Sequence, residues 1–345
     1  MSSESQPTPQ PPYPLHPSVA DRVHPEYAAF YNKHIINQQQ VHLQPVEASR
    51  TGGVIIPGGG PKLPVAKTED LLVEPRVESE GPPVPVRVFT PLGEKPKNGW
   101  PVFLYFHGGG WVLGTIDTEN TVCTNVANRA GAVVVTVDYR LAPENRFPAA
   151  VNDSWEALLW LHRPETISKL EIDISRLSVG GSSAGGNLAA VMTHKARLSS
   201  KYSSSISFKK QVLCVPVMDN TATVETNWAW KEFEHTPALP AAKMLWYRNH
   251  YIPDKSLWSN PEASPLLYSN EDGHWKDLPP ARVIVGELDV LRAEGEAYVQ
   301  KLREAGVEAD LHVMQGMPHP FLAMDGVLEA GRTAITLFVE AVKSV

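Results

Sequence analysis

Gly181-Ser182-Ser183-Ala184-Gly185-Gly186 lies between the apolar run Leu177-Ser178-Val179 and the small-residue, helix-forming run Leu188-Ala189-Ala190-Val191-Met192. A strand, then G-x-S-x-G, then a helix predicts a sharp turn that strains the backbone of the central serine and holds its hydroxyl clear of the chain. Glycines on both flanks admit the close packing such a bend needs. Ser183 is the serine so presented. Two other readings compete on this segment alone: a glycine-rich turn without chemistry, and a cradle for phosphate. Short matches of this kind arise by chance, so the surrounding chain must decide between them.

Working outward, Leu71-Leu72-Val73, Val84 to Phe89, Val102 to Phe106 and Ala132 to Val137 read as strands, the last two buried by their continuous apolar character. Helix and strand then alternate: Trp155 to His162, Leu177 to Val179, Gly186 to Ala196, Val212 to Val217, Ala281 to Val285, Glu294 to Ala305, Asp310 to Met314 and Val327 to Val342. Such alternation predicts an α/β fold with a mostly parallel sheet covered by helices on both faces.

The chain of 345 residues is long enough for a large core in one α/β domain. Lys and Arg total 31 against 38 Asp and Glu, with no dense basic run, which argues against nucleic acid or an anionic membrane surface as main partner and favours a small-molecule substrate. Cys123 and Cys214 have neither C-x-x-C spacing nor histidine neighbours and read as free core thiols of a reducing compartment. No window approaches 18 apolar residues, and Met1 to Pro17 is Ser/Gln/Pro-rich without an apolar stretch, so the expectation is a cytoplasmic protein without a membrane span. Nothing in the composition decides whether it forms a homodimer.

Residues 1–17 are expected to be disordered because of their prolines. Residues 18–55 carry an N-terminal helix, Val19 to Gln39, with Val23, Tyr27, Phe30, Tyr31 and Ile35 at helical spacing, ahead of a Gly/Pro linker. The main domain is expected over 70–345. Within it, about 220–260 holds Trp228, Trp230, Phe233, Met244, Trp246, Tyr247, Tyr251 and Trp258, too many aromatics for a connecting loop. One reading is an ordinary helical layer; the other is a cap that joins the N-terminal helix over an apolar pocket.

Upstream of the serine, the strand ending at Phe106 runs into His107-Gly108-Gly109-Gly110-Trp111. Three successive glycines leave backbone N–H groups uncovered, able to point at a developing oxyanion together with the Ala184 amide. A plain tight turn seldom needs three. A serine nucleophile needs a base held by a carboxylate. Among twelve histidines, His319 in Gly316-Met317-Pro318-His319-Pro320-Phe321 is the one in a loop immediately after a late strand, whereas His312 lies inside that strand. Both Glu287 and Asp289 follow the strand Val283-Ile284-Val285 at its carboxyl edge. Asp289, one step further into the loop and before a helix, is the preferred acid, with Glu287 its rival. Trp111, Ser182, Trp228 and Trp246 are the candidate pocket residues.

With these motifs in order, and with Asp138-Tyr139-Arg140-Leu141-Ala142-Pro143-Glu144 and Gly186-Asn187-Leu188-Ala189 beside them, the chain from about Leu71 onward resembles the hormone-sensitive-lipase branch of the α/β-hydrolase superfamily. The resemblance implies a serine carboxylesterase with Ser183, Asp289 and His319 as triad, an oxyanion hole at Gly108, Gly109, Gly110 and Ala184, short or medium acyl esters as substrates, and no metal or organic cofactor. It also implies a cap from the N-terminus and from an insertion after the sixth core strand. Three departures stand out: Ser182 where a large subgroup has aspartate, Ala293 at a position often acidic, and Pro320 after the histidine in place of glycine. The family also includes plant hormone receptors that bind without turnover, but those lack the histidine; lyase, acyltransferase, amidase and lactonase chemistry stays open on such a scaffold.

Overall fold

The computed structural model describes residues 11–51, 57–271 and 273–345. Eight strands form one sheet: β1 (Lys67–Val73), β2 (Val84–Thr90), β3 (Trp100–Phe106), β4 (Val133–Val137), β5 (Ile172–Ser182), β6 (Lys210–Cys214), β7 (Ala281–Gly286) and β8 (Ala309–Met314). Their order is β1-β2-β4-β3-β5-β6-β7-β8. Strands β1 and β2 pair antiparallel, β2 joins β4 antiparallel, and every later pairing is parallel. β3, β4 and β6 are buried along their whole length, which explains their unbroken apolar reading: a parallel strand is covered on both faces.

Alternate side chains of β3 face opposite layers. Phe103 and Tyr105 meet Phe338 of the Glu329–Lys343 helix edge-on, and that helix packs on the Asn120–Ala130 helix. The Ala184–Leu198 helix lies along β3, β5 and β6 and packs against Ala149–Leu161. After β3 the chain moves toward β4, and with β5 it turns to the other side. That reversal opens a crevice at the carboxyl ends of β3 and β5, where α/β sheets bind ligands.

Two of the expected elements are cut differently in the structure. The helix expected over Val19 to Gln39 is broken into Pro17–Ala20, Pro25–Phe30, a π-turn at Tyr31–Ile35 and a 3₁₀ turn at Val41–Leu43. Pro25 has no N–H to continue a helix from Val23 and instead starts a new one behind the His24 cap. The strand expected to run to Val217 stops at Cys214, because Val215 takes a left-handed φ of 43°. The tail expected at 1–17 lies outside the described residues as far as position 10. Cys123 and Cys214 are buried and free. No helix among the described residues is long and apolar enough to cross a membrane.

Candidate active site

β5 delivers Ser183 to the carboxyl edge of the sheet in a conformation that side chains rarely adopt, φ 54° and ψ −118°. The strain is held by hydrogen bonds on both sides: Ser183 N donates to Cys214 O at 2.8 Å, and Asn187 N to Ser183 O at 3.0 Å. The turn fits only because position 185 is glycine, since a Cβ there would stand 2.0 Å from Phe106 O on the neighbouring strand.

Around the serine the expected partners converge. His319 Nε2 lies 2.8 Å from Ser183 Oγ, and His319 Nδ1 lies 2.7 Å from Asp289 Oδ2. Asp289 is fully buried, and its other oxygen accepts from Leu291 N at 3.0 Å, which fixes the carboxylate. The rival Glu287 is engaged elsewhere: it accepts from Gly316 N at 2.7 Å and faces Arg22 at 3.7 Å. It thereby braces the loop that carries His319 without touching the imidazole.

The glycine loop is narrower in its chemistry than its sequence implies. Gly108 N is taken by Glu119 Oε2 at 3.1 Å, so this amide faces away from an oxyanion. That removes Gly108 from the expected donor set. Gly109 and Gly110 amides donate to none of the described residues, and Ala184 opens the Ala184–Leu198 helix, where no intrahelical acceptor exists. Gly109 must be glycine: φ is 118°, and a Cβ would stand 2.1 Å from Leu113 O. His107 Nδ1 donates to Gly108 O at 2.7 Å and its ring stacks on Tyr139, whose hydroxyl donates to His107 O. Burial pushes the His107 imidazole down to about 4, so it is a neutral brace.

Glu119, which the sequence reading did not single out, ties three pieces together. It accepts from Tyr105 Oη at 2.7 Å, from Gly108 N and from the Ser182 hydroxyl. Burial raises its pKa, and these three donors act in the opposite direction. No residue-type signal marks Glu119 in the sequence, because its role depends on the approach of β3, β5 and its own turn.

Ser183, His319 and the glycine loop open into a cavity of about 140 Å³. Tyr27, Tyr31 and Ile35 of the N-terminal segment wall it on one side, Met244 and Tyr247 of the Ala241–Tyr251 helix on another, and Pro320 and Leu322 near the histidine. Of the candidate pocket residues, Ser182 lines the cavity, and its hydroxyl is spent on Glu119. The three tryptophans do not line it. Trp111 is fully buried against Tyr251, with ring centroids 4.3 Å apart. Trp228 is 48 % exposed beneath the Arg292 guanidinium. Trp246 packs edge-on against Tyr247 and His250. Helical periodicity explains the last: positions 243, 244 and 247 share the cavity face, and 246 falls on the next one.

Beside the departure at Ala293, buried Glu294 accepts from Met218 N, Asp219 N and Trp230 Nε1, tying the aromatic insertion and the segment after β6 to the Arg292–Glu304 helix. Arg140 of the Asp138 to Glu144 motif likewise forks onto buried Asp153.

Residues 103–323 match a family model described as the alpha/beta hydrolase fold. An AB hydrolase superfamily protein of Schizosaccharomyces pombe is 49 % identical over 92 % of this chain and 93 % of its own. The ethyl acetate hydrolase of Pseudomonas putida is 30 % identical, covering 88 % of this chain and 96 % of that protein. Among solved structures, an esterase of Pyrobaculum calidifontis superposes with a TM-score of 0.72 at 36 % identity, over 81 % of this chain and 86 % of the other.

Proposed function

Since the chain belongs to the α/β-hydrolase fold family and is a carboxylic ester hydrolase, we propose that it cleaves its substrate through an acyl-enzyme formed on Ser183. The observation that carries this reading is the unbroken hydrogen-bond line from Asp289 through His319 to Ser183, ending at a cavity with unengaged backbone amides.

In the proposed reaction, His319 Nε2 takes the Ser183 proton as Oγ attacks the ester carbonyl carbon. The carbonyl oxygen becomes an oxyanion held by the Gly109, Gly110 and Ala184 amides, and the dipole of the Ala184–Leu198 helix adds to their field. Asp289 keeps Nδ1 protonated and stabilises the imidazolium. The imidazolium then hands its proton to the departing alkoxide. Water, deprotonated by His319, attacks the acyl carbon, and the acid leaves as Ser183 regains its proton. The N-terminal segment and the Trp228–Tyr251 region act as the cap that excludes bulk water. A cavity of about 140 Å³ and a relative named ethyl acetate hydrolase both support short acyl chains.

The test is a panel of p-nitrophenyl esters of rising acyl length with Ser183→Ala as blank. Loss of the hydroxyl should lower kcat by roughly 10⁴-fold with the fold retained. An organophosphate should label Ser183 alone. A variant that keeps a tenth of the activity, or an adduct mapped to another residue, would overturn the assignment.

A further inference from the structure

Lys243 lies on the cavity face of the Ala241–Tyr251 helix, and among the described residues its ammonium has one hydrogen-bond partner, Ala238 O at 2.8 Å. An ammonium carries three donors. No carboxylate among the described residues pairs with it, although the chain holds 38 acidic residues. The acid that lines the same cavity, Glu119, already accepts from three donors beside the glycine loop. On the other side of the cavity, the 3₁₀ turn Val41–Leu43 packs on the Lys243 helix, and it carries His42, whose Nδ1 is buried without a partner among the described residues. Lys243 and His42 repel each other's protonated forms. On the N-terminal wall of the cavity the Tyr27 hydroxyl is buried and likewise unpartnered.

Lys243 is half-buried, and holding its ammonium there without a counter-ion is costly: desolvation lowers it to about 8. The groups beside Lys243 offer donors, and the one carboxylate of the cavity lining, Glu119, is engaged at the glycine loop, so the cost is recovered when an anion enters. We propose that Lys243 is the anchor of an anion-accepting subsite, and that the substrates favoured by this enzyme are esters bearing a carboxylate remote from the scissile bond, such as half-esters of dicarboxylic acids. This substrate class rests on the reading of Ser183 as nucleophile in the same cavity. The competing role is a brace: Ala238 has a left-handed φ of 69°, and Lys243 could serve only to hold its carbonyl.

The experiment compares kcat/KM for p-nitrophenyl half-esters of succinate, glutarate and adipate with p-nitrophenyl acyl esters of equal chain length. It is run on the wild type and on Lys243→Met. The ratio of anionic to neutral ester should fall by about 10-fold or more in the variant, chiefly through KM, as expected for loss of a charge-assisted hydrogen bond. A brace would lower both esters together and leave the ratio unchanged, which overturns the proposal. Calorimetric titration of wild type with glutarate and with neutral glutaramide gives a readout that needs neither catalysis nor the variant: glutarate should bind about 10-fold tighter or better. Equal affinity for the two overturns the subsite. Selective glutarate binding without cleavage of any ester would instead overturn the catalytic reading and leave the subsite standing.

Discussion

The hydroxyl of Ser182 donates to Oε1 of Glu119, whose other oxygen accepts from Gly108 N, so the residue before the proposed nucleophile and the first glycine of the glycine loop are fastened to one carboxylate. The Gly109 and Gly110 amides and Ser183 Oγ must be placed together for oxyanion stabilisation to act on the attacked carbonyl, and an error of an ångström is costly. Glu119 is thus a positioning residue.

Glu119→Ala should lower kcat by about 10- to 100-fold with a small change in KM, because the loop proposed to hold the oxyanion loses its anchor. Ser182→Ala removes one of three donors to the carboxylate and should cost less. Steady-state kinetics on a short-chain p-nitrophenyl ester check the ranking. Full activity in Glu119→Ala would show that the glycine loop holds itself.

Two acids follow β7, and their contacts predict opposite behaviour. Asp289→Asn should drop kcat by about 10⁴-fold, since the amide cannot keep His319 in the required tautomer. Glu287→Gln retains an acceptor for Gly316 N and loosens only the exposed pairing with Arg22, so kcat should stay within a few-fold of wild type. Measuring both variants on one substrate decides it, and the reverse order would make Glu287 the acid.

Legibility followed the range of each interaction. The serine turn, the glycine loop and the positions of Asp289 and His319 are local patterns at strand ends, and local patterns are what a sequence displays. Strand positions were readable for the same reason, from β3 to β8. The Asn120–Ala130 helix was not: Asn120, Thr121, Val122, Thr124 and Asn125 are weak helix formers, and burial against the Glu329–Lys343 helix overrides their propensity. Gly108 could not be separated from its neighbours without Glu119, a contact made across the gap between two loops. The tryptophans misled because large aromatics in an insertion signal burial without saying against what. Trp111 and Trp230 are buried in the body's packing, Trp228 sits at the surface, and the cavity is walled by tyrosines and aliphatics.

Like His107, which burial lowers in the same sense, His194 is a traceable source of acid sensitivity. Its ring is fully buried, stacked on Tyr268 at 4.3 Å, with Nδ1 3.2 Å from His274 Nε2 and Nε2 3.2 Å from Tyr298 Oη. Burial, followed by the proximity of His274 and Lys301, holds its pKa well below the ordinary imidazole value. The unfolded chain therefore binds more protons at this residue below about pH 6.5, and the contribution of neutral His194 to stability is complete above that pH and lost on acidification. Glu119 and Glu294 carry raised values and change stability in the opposite sense, so the quantity to follow is the difference between wild type and His194→Gln. Urea unfolding at pH 7.5, 6 and 5 should show that difference shrinking steadily. A constant or growing difference would mean that the folded protein accommodates the imidazolium.

Tyr247 and Trp246 stand side by side on one helix yet face different surroundings, which gives the cap an internal control. Tyr247 lines the cavity over Gly110, where a Cβ would come within 2.3 Å of its ring, whereas Trp246 turns to His250 on the adjacent face. Truncating Tyr247 to alanine removes a buried aromatic wall. It should cost about 3–5 kcal/mol of stability, within reach of urea denaturation. The space released lies beside the nucleophile, so kcat/KM for hexanoate relative to acetate p-nitrophenyl esters should rise by about 10-fold, because each added methylene is now accommodated in apolar surroundings. Trp246→Ala should leave that ratio within about two-fold of wild type, since its ring is absent from the cavity wall. An equal shift in both variants would mean that the helix moves as a body and that its packing on the core, rather than the Tyr247 ring, sets the acyl length.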